Sequence, residues 1–138
     1  MRGASALQPL LDGLPDAKIR TFLVWEPVIW SDVAPPTSSV LALVRDPRAI
    51  QYWDAERALS RDIVRAVNAD PARYGFDAPL DEEFIVWDVL AVFPPGALWE
   101  RDLPVPAFYD GPVAYRIDKT ADAIAQVLDG AAGAGSTP

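Results

Sequence analysis

Residues 84–93 read Phe-Ile-Val-Trp-Asp-Val-Leu-Ala-Val-Phe and run directly into Pro94-Pro95-Gly96. Apart from Asp88 the ten residues are apolar on both alternating sets, the pattern of a strand covered on both faces. The Pro-Pro-Gly that follows marks a tight turn. Pro95 presets the first central position, and Gly96 supplies the positive φ of the second. The turn predicts an antiparallel return over residues 97–100. Prolines 104, 106 and 112 keep the next stretch extended and irregular, with a short edge strand over 113–117.

Upstream, residues 19–25 form a second covered strand, ended by Glu26-Pro27. Residues 28–36 are a proline-bounded loop holding Trp30 and Asp32. Thr37 caps a short helix over 37–44, although residues 39–44 also suit a strand. Residues 49–53 are a third strand. Asp54 then stands as N-cap of the helix 55–68, whose apolar stripe is Leu59, Ile63 and Val67 with Val64 beside it. Its arginines 57, 61 and 65 form a solvated, partly paired face with Glu56 and Asp62. Asp70-Pro71 closes that helix, and a loop spans 71–82. A last helix over 120–128 carries Ile124, Val127 and Leu128 inward and stops at Gly130.

The expected order is β-α-β-α-β-β-α. Strand-helix-strand links imply parallel pairing and the Pro-Pro-Gly turn an antiparallel hairpin. The simplest packing is an α/β three-layer sandwich, a mixed four-stranded sheet with helices on both faces. Residues 1–18 read as an N-terminal leader segment, with one or two loose helical turns over 5–14. Residues 19–130 form a single domain, and 131–138 a disordered tail.

Composition removes whole classes of chemistry. The chain of 138 residues has neither cysteine nor histidine. Disulfides, thiolate nucleophiles, iron–sulfur clusters, Ser-His-Asp machinery and nearly all zinc sites are therefore excluded. No metal or other cofactor is expected. A net charge of −8, from 12 basic and 20 acidic side chains, argues against nucleic acid as a partner. The apolar runs are too short for a membrane-spanning helix, and no secretory signal is evident, which points to the cytoplasm.

The order of elements is also that of the thioredoxin fold. The chain resembles uncharacterised bacterial proteins of thioredoxin-like architecture in Trp25 to Pro27, Tyr52-Trp53-Asp54, Trp87-Asp88-Val89, and Trp99 with Pro104 and Pro106, over roughly residues 19–108. Thioredoxins carry Trp-Cys-x-x-Cys after the first strand. Here Trp25 is followed by Glu26, so the resemblance implies a fold and no thiol–disulfide activity.

Two functional readings remain open. In the first, the chain is a non-catalytic domain that binds a protein partner or small molecule through aromatic and proline-rich loops. Trp25, Glu26, Trp30, Trp99, Phe108 and Tyr109 form its surface, and self-association is a further option. In the second, it is a small carboxylate-dependent enzyme, drawing on Glu26, Asp32, Asp54 and Asp88, with or without a divalent metal. Each residue also has a plain structural role. Asp54 is a helix cap, Glu26 a solvated loop carboxylate, and Asp88 a desolvated carboxylate paired with an arginine of the 55–68 helix or an indole N–H. Trp25, Trp53 and Trp87 are core residues or the walls of an aromatic pocket.

Overall fold

The computed structural model describes residues 2–100 and 102–134. The fold is mixed α/β, in the order α1 (Arg2–Asp12), β1 (Thr21–Trp25), α2 (Ser38–Leu41), β2 (Ala49–Trp53), α3 (Ala58–Ala69), β3 (Leu90–Val92), β4 (Phe108–Asp110) and α4 (Ile117–Ala134). Single 3₁₀ turns occupy Pro71–Tyr74 and Val113–Tyr115. After α1 this is the order expected from sequence. The pairing is not: in place of one four-stranded sheet there are two two-stranded sheets, β1–β2 and β3–β4. The described residues divide into two compact units, residues 18–87 and residues 2–17 with 88–134.

In the first unit β1 and β2 run parallel, with Phe22 opposite Ile50 and Val24 opposite Tyr52. The pairing extends one step beyond each end. Thr21 N donates to Arg48 O at 3.0 Å, and Asp54 N to Trp25 O at 2.8 Å. The two strands share a local pattern that the register aligns: Arg20-Thr-Phe22-Leu-Val24-Trp-Glu26 lies beside Arg48-Ala-Ile50-Gln-Tyr52-Trp-Asp54. The odd positions face the core, where Leu23 is buried and Trp25, Gln51 and Trp53 are half-buried. Gln51 ties that face together. Its amide donates to Leu41 O at 2.9 Å and Val44 O at 3.1 Å, and its carbonyl accepts from Trp25 Nε1 at 3.0 Å. The end of α2 and the turn after it are thereby tied to the sheet.

Residues 37–44 resolve into a single helical turn, with Val44 buried just beyond it. In α3 the fully buried residues are Ser60, Val64 and Val67, so the inward stripe is turned from the expected Leu59–Ile63–Val67 set, of which Leu59 and Ile63 are half-buried. Two backbone–side-chain bonds hold the following loop to α3: Asn68 Nδ2 donates to Leu80 O at 3.0 Å, and Leu80 N to Asn68 Oδ1 at 2.7 Å.

The ten-residue strand expected over 84–93 is cut to the three residues of β3, which lie in the second unit. The cause is Asp88, whose φ of 53° lies in the left-handed region and turns the chain out of extended geometry. The turn at Pro94 is as expected: Ala97 N donates to Pro94 O at 3.2 Å, and Gly96 has φ 79°. The returning strand is not residues 97–100, however. β3 pairs antiparallel with Phe108–Asp110, Ala91 opposite Tyr109. Residues 113–117, expected as an edge strand, are a 3₁₀ turn leading into α4. At that junction the buried Thr120 sends both its N–H (2.9 Å) and its hydroxyl (2.8 Å) to Arg116 O. α4 continues through Gly130 to Ala134, where a stop and a disordered tail were expected; residues 135–138 of that tail lie outside the described residues. A helical glycine costs only about 1 kcal/mol against alanine, which neighbouring alanines tolerate. The leader, too, is ordered, as α1 with Leu10 and Leu11 buried.

Candidate functional site

Two of the four carboxylates singled out by sequence meet at one place in the first unit, the N-terminus of α3. The first turn of any α-helix leaves backbone N–H groups without partners inside the helix. Here Arg57 sits at the cap position with φ 57° and offers no side-chain bond of its own. Asp54 does the capping from three residues further back: its Oδ2 accepts Leu59 N at 2.8 Å. Glu26, from the end of β1, supplies the next acceptor, taking Ser60 N on Oε1 at 3.0 Å and the Ser60 hydroxyl on Oε2 at 2.5 Å. The Ser60 hydroxyl in turn accepts Val86 N at 2.9 Å.

The electrostatics follow from this arrangement. Burial pushes the Asp54 carboxyl up, but the N–H groups of Leu59, Ala58 and Glu56 outweigh it and leave it below the ordinary range. Two carboxylates at the positive end of α3 match its dipole. Asp54 is therefore a helix cap, as its sequence position suggests, for a helix that starts later than expected. Glu26 is no solvated loop residue; it is half-buried and bonded across the unit. Sequence reasoning missed Ser60. It is 2% exposed, with its hydroxyl committed at once as donor and acceptor, and burial of that degree leaves no access for a substrate to reach it as a nucleophile.

Asp32 lies elsewhere in the same unit. Its Oδ2 accepts Val28 N and Ile29 N, both at 3.0 Å, while Asp32 N donates to Ile29 O at 2.9 Å. The N–H groups of Ile29 and Val28 hold its carboxyl below the usual range against a small opposing effect of burial. The loop so fixed carries three apolar side chains into water: Trp30 at 92% exposure, Val33 at 85% and Ile29 at 57%.

Asp88 belongs to the second unit and is half-buried. Its carbonyl accepts Val113 N at 3.1 Å, and its Oδ1 stands where a side chain on Gly3 would project, 2.5 Å from that position. In the first unit the α3 arginines are engaged locally: Arg65 with Asp62 at 2.7 Å, and Arg61 with the carbonyl of Glu56. Among the described residues no group of three or more acidic side chains is placed to hold a metal ion.

The aromatic candidates divide by exposure. Trp25 is half-buried and bonded to Gln51; Trp30 and, in the second unit, Trp99 and Tyr109 are exposed, with Phe108 half-buried. Trp87, expected in the core or a pocket, is 61% exposed, because the strand meant to bury it is not formed. Burial and the neighbouring Asp110 charge raise the Tyr109 phenol. Asp110 itself lies near two cations, Arg116 Nε at 3.0 Å and Lys119 Nζ at 4.0 Å. The N–H of Gly111 and these cations hold its carboxyl down against burial.

Comparison with protein-family models, with curated proteins and with solved structures finds no match to this chain. Among the described residues no helix is long and apolar enough to cross a membrane.

Proposed function

We propose that this protein is a non-catalytic interaction domain, and that the loop over residues 28–36 is its recognition surface for a protein partner. The observation that carries the reading is Trp30, 92% exposed on a loop that Asp32 locks by two backbone N–H bonds. A tryptophan carried on an ordered backbone leaves only its side-chain freedom to be lost on binding. Tryptophan is also the side chain that most often dominates binding energy at protein interfaces. Ile29 and Val33 widen the apolar contact. Trp99, Phe108 and Tyr109 of the second unit are further contact residues under this reading. The resemblance to thioredoxin-like proteins lies in short motifs and the order of elements, with Glu26 standing where the cysteine motif would begin; the four-stranded sheet of that fold is not formed. We place the protein in the cytoplasm, with neither nucleic acid nor membrane as partner.

A carboxylate-dependent enzyme is the second reading, favoured by the convergence of Glu26 and Asp54. Against it, both oxygens of Glu26 and one of Asp54 are occupied by α3 and Ser60.

Quantitative affinity capture from the source extract tests the first reading, with wild type, Trp30→Ala and Arg61→Ala as baits. The expected result is a set of proteins retained by wild type and Arg61→Ala and lost with Trp30→Ala. Equal capture by all three overturns it. Thermal unfolding with a panel of divalent metals, nucleotides and metabolites separates the second reading. A ligand at a hundredfold its dissociation constant adds about 2.7 kcal/mol. A clear shift that vanishes in Glu26→Gln moves the assignment to the carboxylate site.

A further inference from the structure

The outer face of the β1–β2 sheet is built from residues other than those of the Trp30 loop. Parallel sheets are normally covered on both faces, and two strands alone are marginally stable. Here the even positions stand in water: Phe22 is 56% exposed, Tyr52 50%, Ile50 42% and Val24 36%. They form one patch, with Phe22 and Ile50 in register, Val24 and Tyr52 in register, and the Phe22 and Tyr52 rings 6.4 Å apart between centroids.

The patch has a charged pole at each end. Residues 18–20 and 45–48, at the N-terminal ends of the strands, carry four cations (Lys18, Arg20, Arg45, Arg48) against one carboxylate, Asp46. Arg20 and Arg48 line one shallow concavity with Ile50, which places them at the foot of this face. Residues 26 and 54–57, at the C-terminal ends, carry three carboxylates (Glu26, Asp54, Glu56) against one cation, Arg57. In a chain of net charge −8 so basic a pole is unusual, and it lies at one end of the apolar face.

We propose that a second copy of this chain covers the face, related by a two-fold axis that lies between the two sheets and crosses the strands. A face that is apolar in the middle and oppositely charged at its ends is complementary to itself in that orientation. Each basic pole meets the partner's acidic pole, and the apolar centres meet each other. Turning the axis along the strands sets like charges together. Four apolar side chains bury less than the roughly 800 Å² per partner of a stable complex, so the dimer is a weak one, dissociating in the micromolar range or above.

Sedimentation of the full chain across a wide concentration range tests this, with unchanged unfolding midpoints as the control for each variant. Wild type is expected to dimerise reversibly and to dissociate more readily as salt rises. Tyr52→Lys is expected to weaken the dimer by about tenfold or more, and Arg20→Glu by about threefold to tenfold. Trp30→Ala leaves it unchanged, which separates this surface from the recognition loop. Any of three results overturns the proposal: a chain monomeric at every concentration, a dimer indifferent to Tyr52→Lys, or one that Trp30→Ala dissociates. A dimer weakened by Tyr52→Lys but blind to salt and to Arg20→Glu overturns the antiparallel arrangement.

Discussion

Glu26 and Ser60, thirty-four residues apart, are joined twice: the carboxylate takes both the backbone N–H and the hydroxyl of the serine. The end of a strand thus supplies the cap that the helix's own N-terminal residue, Arg57, does not. The same hydroxyl receives Val86 N, so three segments depend on one 2%-exposed side chain.

Removing the acceptor leaves buried donors without partners, at about 1–3 kcal/mol for such a group. Glu26→Ala is therefore expected to destabilise by about 2 kcal/mol, and Glu26→Gln by less, since one oxygen remains. Ser60→Ala is expected to cost a similar amount by stranding Val86 N. The two act on one network, so the double variant should lose less than the sum of the singles. Urea unfolding of the four proteins checks this; strict additivity would refute the shared network.

Acid sensitivity follows from the depressed carboxyls. Asp46 is held down to about 2 by its hydrogen bonds from the Arg48 side chain and N–H. Asp54 lies below its ordinary value because its N–H partners outweigh burial. A carboxyl depressed in the folded state contributes fully above its unfolded value near 4 and loses that contribution as pH falls through the folded value. Stability is thus expected to be flat with respect to these groups above about pH 5 and to fall between about pH 4 and 2. Asp46→Asn is expected to flatten that fall while lowering stability at pH 7. Unfolding midpoints followed from pH 7 to pH 2 decide it, and an Asp46→Asn protein with the wild-type acid slope contradicts the assignment.

Local signals carried β1, β2, α3 and α4, because these elements announce themselves by period and by their breaking residues. The Pro95-Gly96 turn was legible for the same reason, and so was a capping role for Asp54. Pairing was not. The apolar run at 84–93 reads as one strand, since nothing in composition shows that Asp88 adopts a left-handed φ; aspartate is among the few non-glycine residues that tolerate it. The return strand at 108–110 is equally hidden, its register being set by contacts made far along the chain. Glu26 and Asp54 were legible as candidates, but their shared task was not, because a cap delivered across thirty-four residues leaves no local spacing to detect.

The turn at Asp88 depends on two glycines. A Cβ on Gly111 would lie 2.6 Å from the Asp88 carbonyl oxygen, a backbone atom with little room to move. One on Gly3 would lie 2.5 Å from Asp88 Oδ1, the end of a side chain that rotates away more cheaply. Gly111→Ala is expected to destabilise by about 1–3 kcal/mol, and Gly3→Ala by less. At position 88 itself, Asn is expected to be tolerated and Val to be strongly destabilising, because a branched Cβ does not fit φ 53°. Unfolding midpoints of the four variants rank these effects, and equal tolerance of Asn and Val would contradict the left-handed turn.

Tryptophan fluorescence reports on the loop directly. Of the five indoles, Trp30 is 92% exposed, Trp87 61% and Trp99 41%, whereas Trp25 and Trp53 are half-buried. Acrylamide is therefore expected to quench two populations. Trp30→Phe should remove the most accessible part and shift the remaining emission to the blue. Stability should stay within about 0.5 kcal/mol, since an exposed side chain with water on nearly every side supports little structure. Asp32→Ala is the informative contrast. It keeps the indole but frees the backbone that holds it, and with Val28 and Ile29 N–H released the loop loses its fixed form. Trp30 anisotropy is then expected to fall while its accessibility stays high. An unchanged anisotropy in Asp32→Ala would mean that the carboxylate does not order the loop and that the recognition surface is not preformed.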